Sequence, residues 1–520
     1  MTSSETTMRA AMRRDPAAAA RCIAAWLAAW AVVAPAPAAD PVVATADATF
    51  TAAAADLTRR AEATGNAELT ALIRGWHLPA ELDRQHALAL PARLETPVAV
   101  DSEAETAIWE DFVAARRDRA AALFGAARAG AAGPGTTGAT QPPSRDCSAT
   151  ISLLYRVLRD DPDHETARKA AGWVRRGDRW VSPQAARRLD KGEEYDPAYG
   201  WLPRGRLGRY RAGERHERGR WMTAAEDEAR MLPVDRGRRF ETDHWEILST
   251  APLEDTAGLA ARLEETRQAW QQVFGGFGID PRELAGRMQG RGHAGAHEPF
   301  AAVFCRDREQ YVAELLKLEP TIGRTNGIYW APTATAWFYN EPAGAAVPGA
   351  EAADGPGGIE AFTVHHEATH QLFAETRPEF RRTARSAGER CGFWAIEAAA
   401  CYMETIRPMP WGWTVGGRDA GRVPAARERL LEDGFYVPLA DLGAMGRAEF
   451  QADGRLRSIY SQLGGLADFF MNAGRGRYRE AFVKYLGSLY AGSADADTLA
   501  RLCGRTYGEL DQEYRRHISQ

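Results

Sequence analysis

At 520 residues and 45% hydrophobic content, the chain can bury a sizeable core and is too long for a single simple one, so about two to four domains are expected. A formal net charge of -5 excludes a global electrostatic attraction to nucleic acid or to an anionic membrane surface, so charged partners must be sought in local patches. Beyond the first 40 residues no stretch approaches the roughly 18 consecutive apolar residues that a spanning helix needs.

Arg9, Arg13 and Arg14 precede a twelve-residue apolar run at 22–33, "CIAAWLAAWAVV". The run is followed by "APAPAAD", with small residues at Ala36 and Ala38 suited to cleavage. Residues 1–38 therefore read as a secretory signal peptide. The mature chain is expected to be exported, periplasmic or extracellular, with no transmembrane segment. Cleavage removes Cys22 and leaves Cys147, Cys305, Cys391, Cys401 and Cys503. An odd number in an oxidising compartment leaves at least one free thiol or an intermolecular bond. No CxxC pair offers a cysteine zinc site.

Residues 39–130 are Ala-rich with helical spacing: "AIWEDFVAARRDRAAALFGAARA" places Trp109, Phe112, Ala120 and Phe124 near one face. Gly, Pro and Thr then dominate 131–146, which reads as a linker. Residues 147–239 form a small Trp/Arg-rich module with a near-repeat, "GDRWVSPQAARR" at 177–188 and "RGRWMTAAEDEAR" at 218–230. Ser182 and Thr223 are suited to cap a helix, with Pro183 at the first helical position, so two strand-to-helix units are expected. Between Arg168 and Arg239 there are 19 Lys/Arg against 11 Asp/Glu. Such an excess suits an anionic cell-envelope polymer as partner; the alternative is a solvated face whose arginines pair with nearby acids and stack on tryptophan rings. No nucleic-acid recognition motif accompanies it.

From 240 onward the texture is α+β. "RFETDHWEILST" alternates like a strand, "EDTAGLAARLEETRQAWQQVFGGFG" is an amphipathic helix ending in glycine, and "PFAAVFCRDREQYVAELLK" is strand then helix. Two short strands follow at 327–330 and 333–339, the second placed to pair its edge with an extended substrate. A Gly/Ala/Pro loop at 344–358 is a candidate mobile cover, and the remainder reads mostly helical.

The chemistry concentrates in "FTVHHEATHQLFAE", 362–375. On a helix, His366 and His370 project from one face and reach one zinc ion, while Glu367 completes the HExxH pattern as a general base. Zinc needs a third protein ligand, with a fourth position left open. Glu397, in the apolar run "GFWAIEAAACYMETIRP", is the candidate, because a lone carboxylate there is otherwise costly to bury. Glu404, seven residues on, lies on the same face and can hydrogen-bond a ligand histidine from outside the coordination sphere. His365 is placed on the helix flank. His293 and His297 are also four apart, but they sit among Gly290, Gly292 and Gly295 with no glutamate after the first, and read as loop histidines.

"HHEATH" followed by "FWAIEAAACYMET" resembles the gluzincin zinc metallopeptidases, in which HExxH precedes a helix of the type W-x-x-E-G-x-A-x-Y-x-E. Trp394, Glu397, Ala400, Tyr402 and Glu404 match it. Residues 240–520 are similar to the peptidase MA-like superfamily, in an exported bacterial branch whose preceding modules resemble "DPDHETARKAAGWV" and "GRWMTAAEDEAR". The resemblance implies a zincin (thermolysin-like) catalytic domain with a mixed N-lobe sheet and a helical C-lobe. It implies Zn2+ held by His366, His370 and Glu397, with Glu367 as base and a peptide or protein substrate. "IYSQLGGLADFFMN" resembles the later helix that brings a tyrosine near the oxyanion, here Tyr460. Two positions depart from the pattern. Ala398 replaces the usual glycine, and Cys401 stands where some relatives place an Asp that orients a ligand histidine, which leaves Glu404 to take that role. The rival expectation is an exported scaffold that keeps the zinc fold without turnover and attaches to envelope polymer through the basic module. A third, hydrolysis of a non-peptide amide or ester, uses the same residues.

Overall fold

Burial alternates along Trp245–Ser249, while long helical runs follow it, which divides the second half of the chain into one sheet and a set of packed helices. The structure, a computed structural model, describes residues 40–78, 83–91, 93, 96–132, 147–292, 294–295, 297–341 and 360–520. The expected signal peptide, Cys22, residues 133–146 of the expected linker, His293 and the 344–358 loop lie outside the described residues. The chain is α+β. No helix among the described residues is long and apolar enough to cross a membrane.

The Ala-rich region contributes helices Pro41–Thr64, Ala67–Arg74 and Glu103–Ala132, and a short strand, β1 (Gln85–Leu88). Phe50, Leu57, Leu69, Ile73 and Phe112 close a core between the helices. Helix Glu103–Ala132 runs through Ala131 and Ala132, into the stretch read as linker. β1 pairs antiparallel with Gly412–Val415, so the N-terminal region is stitched into the far half of the chain. Leu123, Leu158 and Met288 share one buried cluster across the expected boundaries near 130, 146 and 239. Asp40–Gln520 packs as one unit.

The Trp/Arg-rich stretch holds three hairpin-to-helix units where two were expected. β2 (Val174–Arg176) and β3 (Arg179–Val181) lead into helix Pro183–Asp190. β4 (Glu193–Asp196) and β5 (Gly200–Pro203) lead into Arg204–Arg211. β6 (Glu214–Glu217) and β7 (Arg220–Thr223) lead into Ala224–Glu228. The middle helix has no side-chain cap and contains Gly205 and Gly208, so it lacks the start signal that marks the other two. At Gly200, φ is +71° and a Cβ would lie 2.5 Å from Glu241 O, so only glycine lets β5 dock on the adjoining strand.

Most of the module's arginines are engaged internally. Arg188 reaches Glu193 and Glu241, Arg211 holds Asp196, and Arg238 holds Asp227. Arg209 pairs with Glu214 while its guanidinium lies 3.5 Å over the Trp221 ring. Ser182 Oγ accepts Ala185 N–H at 2.9 Å and donates to Asp243 at 2.8 Å. Ser182→Ala is expected to cost about 1–2 kcal/mol, because it removes both a cap and a donor to the half-buried Asp243 carboxylate. Chemical denaturation checks this; an unchanged midpoint would refute it.

The central sheet is built from β8 (Arg238–Glu241), β9 (Trp245–Ser249), β10 (Phe300–Cys305), β11 (Ile328–Trp330) and β12 (Thr335–Tyr339), in the order β11-β12-β10-β9-β8. β9, β10 and β12 run parallel, and β8 and β11 flank them antiparallel. This corrects the expectation that 333–339 offers an edge to substrate. β12 is paired on both sides, with β10 and β11, so its ladder bonds are used and the sheet's edges belong to β11 and β8.

Helix Leu253–Val273 packs against helix Ala361–Glu375, which in turn packs on Phe393–Met403. Gln371 ties the histidine-bearing helix to the sheet: its Nε2 donates to Ala301 O at 3.0 Å and its Oε1 accepts Trp245 Nε1–H at 3.0 Å. After β13 (Arg407–Met409) and β14 (Gly412–Val415), which form a separate three-stranded sheet with β1, the chain is helical to its end. Gly412 has φ +143° and lies so close to β1 that a Cβ would sit 2.2 Å from Ala87 O. Among the described residues no two cysteines form a disulfide.

Candidate metal centre

Val364, Ala368 and Leu372 recur every fourth residue along Ala361–Glu375 and are buried in the core, which turns the other face, with His366 and His370, toward a polar pocket. Phe393–Met403 is buried at every residue, so Glu397 enters the same pocket from an apolar helix. Helix Leu456–Gly476 brings Tyr460 from a third side.

Two groups of metal-capable side chains converge among the described residues. In the first, His366 Nε2 lies 3.1 Å from His370 Nε2, and the two rings lie 3.5 and 3.6 Å from the Glu397 carboxylate oxygens. Zinc bonds of about 2.0–2.1 Å in a tetrahedron space the ligand atoms about 3.3–3.4 Å apart, so these three side chains fit one ion. The second group, His366, Cys401 and Glu404, is a poorer fit. Glu404 Oε1 sits at hydrogen-bond distance, 2.8 Å, from His366 Nδ1, and burial pushes the Cys401 thiol up to about 11, where it stays protonated.

The His366–Glu404 contact orients the ring so that its other nitrogen faces His370 and Glu397. Arg422 in turn grips Glu404, with Nε 2.9 Å from Oε2 and Nη2 3.2 Å from Oε1. Tyr460 donates its hydroxyl to Glu397 Oε2 at 2.8 Å. Burial and the neighbouring Glu397 raise the Tyr460 pKa far above the ordinary range, so the hydroxyl remains a donor. Burial opposes the charge on Glu397, but His370, His366 and Tyr460 overcome it and hold the carboxyl at about 2. The His370 pKa is lowered, chiefly by burial, against the opposing pull of Glu397.

Glu367 does not join the three converging groups. Its Oε2 accepts the backbone N–H of Tyr329, on the outer side of the edge strand β11, at 2.7 Å. Burial raises its pKa above the ordinary carboxylate value, which strengthens it as a proton acceptor. His365 faces away, buried, with Nδ1 2.8 Å from Thr266 Oγ1. His297 is likewise elsewhere, stacked on His244 with ring centroids 5.5 Å apart.

The structure adds two participants that pattern reading did not find. Tyr329 contributes only a backbone N–H, which any residue supplies, so no side-chain signal marks it. Arg422 is one of several arginines in "GGRDAGRVPAARER", and only the packing of its helix entry against Glu404 singles it out. In comparisons with family models, with curated proteins and with solved structures, nothing matches the chain.

Proposed function

We propose that the chain is an exported zinc-dependent peptidase of the gluzincin type, with a zincin-like catalytic domain over 240–520. The observation that carries this reading is the separation of roles in one buried pocket. Three side chains converge at ligand spacing, while Glu367 stands beside them, held by its own donor and outside the set. A site built only to hold an ion has no use for that extra carboxylate.

His366, His370 and Glu397 would hold the ion. When bound, Zn2+ supplies a Lewis acid for the scissile carbonyl and makes a water molecule easier to deprotonate. Glu367 accepts a proton from the attacking water as its oxygen adds to the carbonyl carbon. The same carboxyl then returns the proton to the amine nitrogen as the C–N bond breaks. Glu404 and Arg422 fix the His366 ring, and Tyr460 fixes Glu397. The outer edge of β11 runs beside Glu367; with the Tyr329 N–H held by that carboxylate, the Tyr329 carbonyl is the backbone group it offers to an extended peptide.

Elemental analysis of the purified protein together with cleavage of a mixed peptide library tests the reading. About one zinc per chain with peptide hydrolysis is expected. Zinc without cleavage of any peptide would overturn the peptidase assignment, and absence of stoichiometric zinc would overturn the site.

A further inference from the structure

A second polar cavity, of about 450 Å3, is lined by parts of helices Pro41–Thr64, Glu103–Ala132 and Cys147–Asp160, by β1, and by Arg479. Five arginines (Arg84, Arg119, Arg156, Arg159 and Arg479) line it, but only two carboxylates, Asp47 and Asp160. Both carboxylates are taken. Arg119 grips Asp160 through two bonds of 2.7 and 2.6 Å, and Arg156 holds Asp47 at 2.6 and 2.8 Å. Arg84 pairs with Asp419, and Arg479 Nε donates to Met471 O at 3.0 Å.

Arg159 is left over. It is 8% exposed, stacks on Trp76 at 4.8 Å, and has no carboxylate within ion-pair distance among the described residues. Arg116, 2% exposed, lies 3.9 Å over the same ring. Asp160 is thus the single buried carboxylate in a corner that also holds the guanidinium groups of Arg116, Arg119 and Arg159. Burial, followed by Arg119 and Arg159, lowers the pKa of His77 on the same wall, so it stays neutral and adds no charge. A guanidinium cannot shed its proton at ordinary pH, and burying one without an anion is costly. The fork geometry of arginine matches the paired oxygens of a carboxylate or a phosphate group.

We infer that this cavity is a binding site for a small polyanionic ligand, bearing phosphate or several carboxylates, with Arg159 as its anchoring residue. The site is separate from the candidate metal centre and does not depend on it. Because its walls come from the N-terminal helices, from β1 and from Arg479 in the C-terminal half, a bound anion joins elements distant in sequence and raises the stability of their packing.

Titration calorimetry of the full chain with inorganic phosphate and, separately, with citrate tests this, at about 150 mM sodium chloride to screen non-specific attraction. One anion per chain is expected, with a rise in Tm; saturation by phosphate alone assigns a phosphate-bearing ligand, and saturation by citrate alone a polycarboxylate. Arg159→Met is expected to weaken binding at least about tenfold by removing a charge-assisted bond. Ser152 is exposed on helix Cys147–Asp160 and lines the cavity, so Ser152→Glu should fold normally, and it is expected to weaken binding by a similar factor through like-charge repulsion. If Arg159→Met fails to fold, Ser152→Glu decides. Absence of binding of either anion to wild type, or binding unchanged in the folded variants, overturns the proposal.

Discussion

Glu367→Gln is expected to lower kcat/KM for peptide cleavage by about a hundred- to ten-thousand-fold, the range that a positioned general base contributes. The substitution changes little else. Glutamine keeps an oxygen to accept the Tyr329 N–H that now bonds Glu367 Oε2 at 2.7 Å, so the side chain can keep its place. It removes the ability to take a proton. The three groups spaced for an ion are His366, His370 and Glu397, none of which is altered, so zinc content should match wild type at about one per chain. Loss of turnover with retained zinc assigns the base to Glu367. A variant as active as wild type would show that another group deprotonates the water. Loss of zinc together with activity would show that Glu367 holds the site together rather than acting on water.

The residues that could be read from the sequence are those whose spacing is set by a single helix. His366, Glu367 and His370 belong to one turn and a little more, so the 3.6-residue period alone fixes which of them share a face. Glu397 was legible for a different reason: a carboxylate in an otherwise apolar run must find a partner when the helix is buried, and this helix is buried throughout. Glu404, half-buried just past the helix end, followed from its spacing, seven residues beyond Glu397 on the same face. The α+β texture followed from alternation and helical periods. What the sequence hid depends on pairing between distant segments. Nothing in "RQHALAL" says that Gln85–Leu88 will pair with Gly412–Val415, because a four-residue strand carries too few alternations to name its neighbour. The order of the central sheet is hidden for the same reason. A run such as 333–339 reads identically whether it lies at an edge or between two strands, and here it lies between β10 and β11. The middle hairpin-to-helix unit escaped because Pro203 supplies no side-chain cap for Arg204–Arg211. The Tyr460 hydroxyl could be assigned no partner before the helices were packed, and it donates to Glu397.

Glu404→Ala is expected to weaken zinc binding by about ten- to a hundredfold, the usual effect of removing a group that orients a ligand histidine. The carboxylate lies between two donors, His366 Nδ1 at 2.8 Å and the Arg422 guanidinium at 2.9 and 3.2 Å. Its own pKa is lowered: burial works against the charge, but His366 and Arg422 outweigh it. Without it the ring loses the acceptor that fixes its orientation, and the Arg422 charge is left facing a ligand that must itself remain neutral. Cys401 lies on the same side of His366, but a protonated thiol is a weak acceptor and cannot substitute. Competition with a chromophoric chelator measures the affinity directly. Turnover should then separate this variant from Glu367→Gln. Saturating zinc should restore much of the kcat of Glu404→Ala, since the ligands and the base remain, whereas it should restore nothing to Glu367→Gln. Arg422→Met, which leaves the carboxylate in place, should weaken zinc binding less than Glu404→Ala. Equal losses in the two variants would mean that the arginine, not the carboxylate, orients the ring. An unchanged affinity in Glu404→Ala would show that helix packing alone positions His366.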